Sequence, residues 1–205
     1  MRSSTFLQHL FPHRVWSIST EKKEMFLTFD DGPIPEVTPW VLDTLKTHKA
    51  KATFFCIGDN IKKHPELFQQ IIDEGHSIGN HTFNHLNGWK TSSKTYLENV
   101  EACKQEIELH TTSTHLFRPP YGKCTSTQAK ALERDSQQII MWDILSKDYK
   151  PSLSKEACFH RIERSASKGS IIVFHDSLKA EKNMKYALVK TLETFNEFTF
   201  SALKQ

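Results

Sequence analysis

Thr28-Phe29-Asp30-Asp31-Gly32-Pro33 follows directly on the apolar run Met25-Phe26-Leu27. A short apolar segment that ends on two acids and a Gly-Pro pair reads as a strand that stops abruptly and presents carboxylates at its tip. Everything else in the chain is arranged around that reading.

Further apolar, β-rich runs cover 52–57, 76–79, 115–118, 138–144, 170–175 and 198–202, which with 25–29 makes seven candidate strands. Between them, helical patterns span 39–46, 65–74, 95–109, 127–134, 155–166 and 183–197, with Pro65 suited to a first turn and Gly75 to the position after a last one. Strands alternating with helices imply an α/β fold with a parallel sheet. Each chemically active segment falls at the end of a strand, and in a barrel of parallel strands those ends share one face. Segments far apart in sequence thereby become neighbours.

The second such segment is His81-Thr82-Phe83-Asn84-His85. In a helix or a tight loop, histidines at i and i+4 face the same way. With Asp31 they form a set of two imidazoles and one carboxylate. Three protein ligands leave a divalent metal an open position at which water is activated, the basis of a hydrolytic site. Zinc is the default ion, and the same ligand set also suits iron, cobalt or nickel. Asp30 is left free for another task.

Leu116-Phe117-Arg118-Pro119-Pro120-Tyr121-Gly122 predicts a rigid loop, because its two prolines fix the backbone and remove two donors. There Arg118 is placed to keep an acid ionised, and the Tyr121 backbone N–H is available to an oxyanion. Alone, the segment also reads as a structural turn with a surface arginine. His175 closes the run Ile171-Ile172-Val173-Phe174. A histidine in that position is first a structural residue; it gains a role because a hydrolytic site needs an acid opposite its base, and no other histidine outside the proposed metal pair closes a strand. Asp148 is suited to hydrogen-bond it and raise its pKa. Trp89 and Tyr149 lie near these loops and could meet a sugar ring, whereas the 14 phenylalanines read as core.

At 205 residues the chain is read as one domain, 1–205, with its motifs within 25–176. With 27 basic and 24 acidic residues the net charge is +3, with no local block of like charge, which argues against a nucleic-acid partner. Cys56, Cys103, Cys124 and Cys158 have neither CxxC spacing nor density, so free buried thiols are expected. The first residues hold one Arg, a few scattered apolar residues and then His13 and Arg14, without the continuous apolar stretch of an export signal, and no stretch is long enough to span a membrane; a cytoplasmic location is the expectation, with export by another route as the alternative.

With these segments in view, the chain resembles the polysaccharide deacetylases of carbohydrate esterase family 4, which share the NodB homology domain. The motifs occur in order at 28–33, 81–85 (preceded by Gly75-His76-Ser77-Ile78-Gly79-Asn80), 118–122, 148–149 and 173–175. The resemblance implies a distorted (β/α)7 barrel and metal-dependent removal of acetyl groups from N-acetylated saccharides of the peptidoglycan or chitin kind. It casts Asp30 as general base, Asp31, His81 and His85 as metal ligands, and His175 as general acid. Arg118 then orients the base, Asp148 tunes the acid, the Tyr121 N–H holds the oxyanion, and Tyr149 and Val173 line the acetyl pocket. Three positions depart from the family pattern: Leu145 where many members have an acid, Tyr149 where many have Trp, and Val173 in place of Leu. These departures bear on the substrate. The competing readings are a deacylase of a non-polymeric or lipid-linked N-acyl substrate on the same fold, and a silent carbohydrate-binding module.

Overall fold

The alternation of apolar runs and helical patterns becomes one curled parallel sheet wrapped by helices. The computed structural model describes residues 8, 10–112 and 114–204; the opening residues 1–7 and His9, on which the export-signal reading largely rests, lie outside the described residues. The strands are β1 (Glu24–Asp30), β2 (Ala52–Cys56), β3 (Ser77–Asn80), β4 (Leu116–Phe117), β5 (Gln138–Ile139), β6 (Ile144–Leu145), β7 (Ile171–His175) and β8 (Thr199–Phe200). They pair in the order β5-β4-β3-β2-β1-β7-β6, and β8 pairs with the start of β1. The sheet forms a half-barrel, the distorted barrel expected, with β1 inside it between β2 and β7.

Alternation along β1 sorts its side chains between two layers. Met25, Leu27 and Phe29 belong to the main core between sheet and helices, where the Phe29 ring stacks on those of Phe54 and Phe174 at 5.1 and 5.7 Å. Phe26, Thr28 and Asp30 turn into the barrel. At the bottom, Phe26 joins Phe55, Leu116, Ile140, Ile171 and Leu203 in a separate apolar plug. Toward the carboxyl end the interior becomes polar, first Thr28 and then Asp30. Both faces of β1 are buried, which explains a strand that reads as almost continuously apolar.

The outer layer comprises α1 (Thr38–Thr47), α2 (Gly58–Lys63), α3 (Pro65–Asp73), α4 (Ser93–Glu108), α5 (Ser126–Arg134), α6 (Lys155–Glu163) and α7 (Glu181–Thr194). Six follow the sequence reading to within a few residues. The short α2 was not anticipated, since its single turn and a half holds only one buried hydrophobic residue, Ile61. It is anchored instead from the His81–His85 loop, whose Thr82 and Phe83 carbonyls accept the N–H groups of Gly58 and Asp59.

The expected strand 138–144 is two strands, so the count is eight and not seven. Ile140 donates its N–H to the Phe117 carbonyl at 2.8 Å and bridges to Val15, but the carbonyls of Ile140 and Met141 accept from the Arg118 side chain. Among the described residues no ladder joins β5 to β6. Residues 15–18 and the Arg118 guanidinium span that gap. All four cysteines are free and buried, as expected, and no described helix is long and apolar enough to cross a membrane.

Candidate active site

The tip of β1 is bent by Asp31, whose φ of 85° is left-handed and costs backbone energy in a non-glycine residue. The turn is pinned from both sides. The Asn60 amide donates to the Asp31 carbonyl at 2.7 Å, and the Asp176 carboxylate accepts from Gly32 N–H at 3.0 Å and from the Thr38 hydroxyl at 2.7 Å. A side chain at position 32 would drive its Cβ to 1.9 Å from Asp176, so only glycine fits. The bent turn aims the Asp31 carboxylate at two imidazoles.

His81 follows β3, and its Nδ1–H donates to the Arg118 carbonyl at 2.7 Å, which leaves the Nε2 lone pair free. His85 reaches the same point through a loop with left-handed Thr82 and His85, not through a helix. Nε2 of His81 lies 3.8 Å, and Nε2 of His85 3.3 Å, from Asp31 Oδ1; the three donor atoms fall within 4.8 Å of one another. Burial depresses both imidazoles, His81 to about 4, so near neutral pH they present lone pairs and not protons. Lone pairs facing a carboxylate repel unless a cation lies between them. The donor set therefore fits a divalent metal.

Asp30 lies one residue away, inside the barrel. Arg118 is entirely buried, which rules out the surface-arginine reading. Its Nη1 donates to Asp30 Oδ1 and to the Thr28 hydroxyl, each at 2.7 Å, and Nε and Nη2 donate to the Ile140 and Met141 carbonyls. The guanidinium carbon lies 4.0 Å from the centre of the Phe55 ring. Burial by itself would raise the Asp30 carboxyl, but Arg118, with His81 and His175, outweighs it and holds the group below its ordinary value.

In register with Asp30 on the neighbouring strand stands His175. Burial works against its charged form, yet Asp148, accepting from Nδ1–H at 2.7 Å, lifts the imidazole to about 9. One carboxyl is thus kept ionised and one imidazole kept protonated within the same pocket, the division of labour general acid–base chemistry needs.

The pocket around them measures about 500 Å3, and Tyr149, Val173 and Leu145 contribute to its wall, as do Trp142 and Lys179. The Tyr149 ring meets His175 edge-on at 4.8 Å. Tyr121, at φ 60°, packs its ring 4.7 Å from that of His85, and its backbone N–H donates to no acceptor among the described residues. The ten residues singled out in the sequence therefore converge. Trp142, Lys123 and Lys179 were missed: Trp142 sits in the run read as continuous strand, and nothing local marks a lysine as a wall residue. Trp89 does not line this pocket; it is exposed, with the Lys123 amine 4.9 Å over its ring.

A parallel half-barrel with these motifs at its carboxyl end defines a protein of the NodB-type deacetylase class. Residues 17–139 match the family model described as polysaccharide deacetylase, and the chain belongs to that family, carbohydrate esterase family 4. It is 34% identical over 179 residues to a peptidoglycan-N-acetylglucosamine deacetylase of Bacillus cereus, with 86% of this chain and 84% of the relative covered. A chitooligosaccharide deacetylase of Azorhizobium caulinodans is 33% identical over 163 residues, with 78% and 76% covered. The crystal structure of the Bc1960 peptidoglycan N-acetylglucosamine deacetylase in complex with 4-naphthalen-1-yl-N-oxidanyl-benzamide superposes with a TM-score of 0.87. That similarity is at 29% identity and covers 98% of this chain and 95% of that one.

Proposed function

We propose that this chain hydrolyses the acetamide of N-acetylglucosamine-containing oligo- or polysaccharides, releasing acetate and a free amino sugar. The observation that carries the reading is the placement of an ionised Asp30 and a protonated His175 in register on adjacent strands, beside the Asp31–His81–His85 cluster.

Asp31, His81 and His85 would hold a divalent ion, zinc by default, with iron, cobalt or nickel also suited to two imidazoles and a carboxylate. Such an ion supplies Lewis acidity, polarising the carbonyl and acidifying water enough for a carboxylate as weakly basic as Asp30 to accept its proton. The remaining steps belong to the chain. Asp30, fixed through Oδ1 by Arg118, takes the proton of the attacking water. The Tyr121 N–H, which has no acceptor among the described residues, donates to the oxyanion of the tetrahedral intermediate. His175 then gives its proton to the departing nitrogen, the C–N bond breaks, and the amine leaves. Acid–base groups of this kind contribute roughly 10²–10⁴-fold each, and one oxyanion donor about 10²–10³-fold. Val173, Tyr149, Trp142 and Leu145 enclose the acetyl methyl and exclude bulk water.

Acetate release from chitooligosaccharides and peptidoglycan fragments, after chelation and reloading with each metal, tests the reading. A panel of small N-acyl and lipid-linked amides run alongside separates the saccharide from other acyl substrates. No acetate from any saccharide under any metal would overturn it.

A further inference from the structure

The peptide that joins Asp31 to Gly32 is held at both ends by side chains from different elements. Its carbonyl, on Asp31, accepts from the Asn60 amide of α2 at 2.7 Å, and its N–H, on Gly32, donates to the Asp176 carboxylate at 3.0 Å. The peptide before it is held as well, since the Asp30 carbonyl accepts from the Asp176 N–H at 3.1 Å. Two fixed peptide planes set φ and ψ of the residue between them, and with these the direction of its side chain. A non-glycine residue keeps a φ of 85° only where its surroundings over-determine it, and at Asp31 these contacts do so.

Asn60 belongs to a stretch that also grips the loop of the two histidines. On one side the Ile57 N–H donates to the Gly32 carbonyl at 3.0 Å. On the other, the N–H groups of Gly58 and Asp59 donate to the Thr82 and Phe83 carbonyls at 3.1 and 3.0 Å, and the His81 N–H donates to the Cys56 carbonyl at 3.0 Å. Gly58 permits this closeness: a Cβ there would lie 2.5 Å from the Phe83 ring and 3.1 Å from the Cys103 backbone. Residues 56–60 thus tie the turn of Asp31 to the segment of His81 and His85. Among these bonds the one from Asn60 is made by a side chain, so a substitution removes it and leaves the backbone bonds in place. A carbonyl only accepts, which fixes the Asn60 atom facing it as the amide nitrogen.

We propose that Asn60 is a positioning residue for metal binding: through the Asp31 carbonyl it holds the Asp31 carboxylate at the separation from His81 and His85 that lets the three share one cation. This rests on the metal-dependent deacetylase reading and deepens it by naming what preorganises the ligands. Partners outside the ligand set that fix ligand orientation govern how much of the binding energy is spent on building the site. Asn60 is uncharged, so its loss alters geometry and leaves the charge around the cluster as it was. Without its bond the Asp31–Gly32 peptide is free to rotate, Asp31 relaxes toward an ordinary φ, and an incoming ion must rebuild the turn.

The test is calorimetric titration with zinc against a competing chelator, on the wild type, Asn60→Leu, Asn60→Ala and Asp59→Ala. Leucine is close to asparagine in size and cannot donate; alanine serves if leucine disturbs folding. Asp59→Ala is the control, since it removes the pair with Lys63 on the same helix and leaves the Asn60 bond. Both Asn60 variants are expected to bind zinc about 10–100-fold more weakly, with a correspondingly smaller zinc-induced rise in Tm. Asp59→Ala should lower the metal-free Tm and keep the wild-type zinc affinity. If the Asn60 variants lose metal-free Tm but bind zinc as the wild type does, Asn60 is merely structural; that overturns the inference and leaves the metal site intact. Equal weakening in Asp59→Ala overturns it too, because helix stability would then set the affinity. A wild type that binds no zinc brings down the ligand assignment and the inference together.

Discussion

Asp148 holds His175 at two points, accepting from its ring Nδ1–H at 2.7 Å and from its backbone N–H at 2.9 Å. The first contact lifts the imidazole, against the opposing effect of burial, to about 9. A cation held by the neighbouring cluster offsets part of the help from Asp31 and Asp30. The alkaline limb of kcat/KM in the metal-loaded enzyme is therefore expected between the ordinary histidine value and about 9. Asp148→Asn should move that limb toward lower pH. Because the folded pKa is raised, the stability that His175 contributes is complete below its ordinary value and is lost as pH rises through about 9. The stability gap between wild type and Asp148→Asn in urea unfolding should accordingly narrow from pH 7 to pH 10. An alkaline limb that stays in place in the variant would remove His175 as the acid.

Arg118→Met leaves the Asp30 carboxylate buried without its partner and the Ile140 and Met141 carbonyls without a donor. Breaking one side of a buried ion pair costs roughly 3–5 kcal/mol, the expected loss in urea unfolding at pH 7. The Asp30 pKa is depressed in the folded protein, so its contribution is present above the ordinary value of 3.8 and lost as pH falls through the folded one. Acidification should therefore shrink the deficit of the variant, and the acid limb of its residual activity should move upward. A deficit that does not change with pH would mean that Arg118 acts through packing alone.

How much of this was legible follows from where the deciding contacts lie. The tip of β1 and the histidine pair were legible because turn chemistry and ligand spacing are local properties. The break in 138–144 was not: there the Ile140 and Met141 carbonyls accept from a guanidinium 22 and 23 residues earlier, a contact that no local pattern marks. The burial of Arg118 itself was equally hidden: two prolines predict a rigid loop but not that the preceding side chain points into the barrel. Left-handed Asp31, Thr82, His85 and Tyr121 carry no sequence mark either, because surrounding contacts hold them in place. Lys179 became visible as a wall residue only when α7 met the loop after β6.

Metal content and thermal stability should separate the ligands from the base. In His81→Ala, inductively coupled plasma analysis should find little bound metal, and added metal should no longer raise Tm. Asp30→Asn should bind metal and keep the thermal shift while losing acetate release. A ligand at a hundred times its Kd stabilises the folded state by about 2.7 kcal/mol, which makes the shift readily measurable. Normal turnover by Asp30→Asn would remove the base assignment whatever the metal content.

Two glycines with similar backbones test the Tyr121 amide. Gly122 has φ 68° and Gly75 φ 75°, so alanine strains both; at 122, however, the added Cβ would lie 2.8 Å from the Trp142 ring, whereas at 75 it meets nothing closer than the Lys51 amine at 3.6 Å. Gly75→Ala should therefore cost conformational energy alone and leave kcat unchanged. Gly122→Ala must displace either the Trp142 wall or the turn carrying the Tyr121 N–H, adding about 1–3 kcal/mol of overpacking. If that N–H stabilises the oxyanion, kcat should fall about 10²–10³-fold, well beyond any change in KM, because the contact forms only as charge develops on the oxygen. A kcat for Gly122→Ala no lower than that for Gly75→Ala would show that the turn shapes the pocket without donating to the transition state.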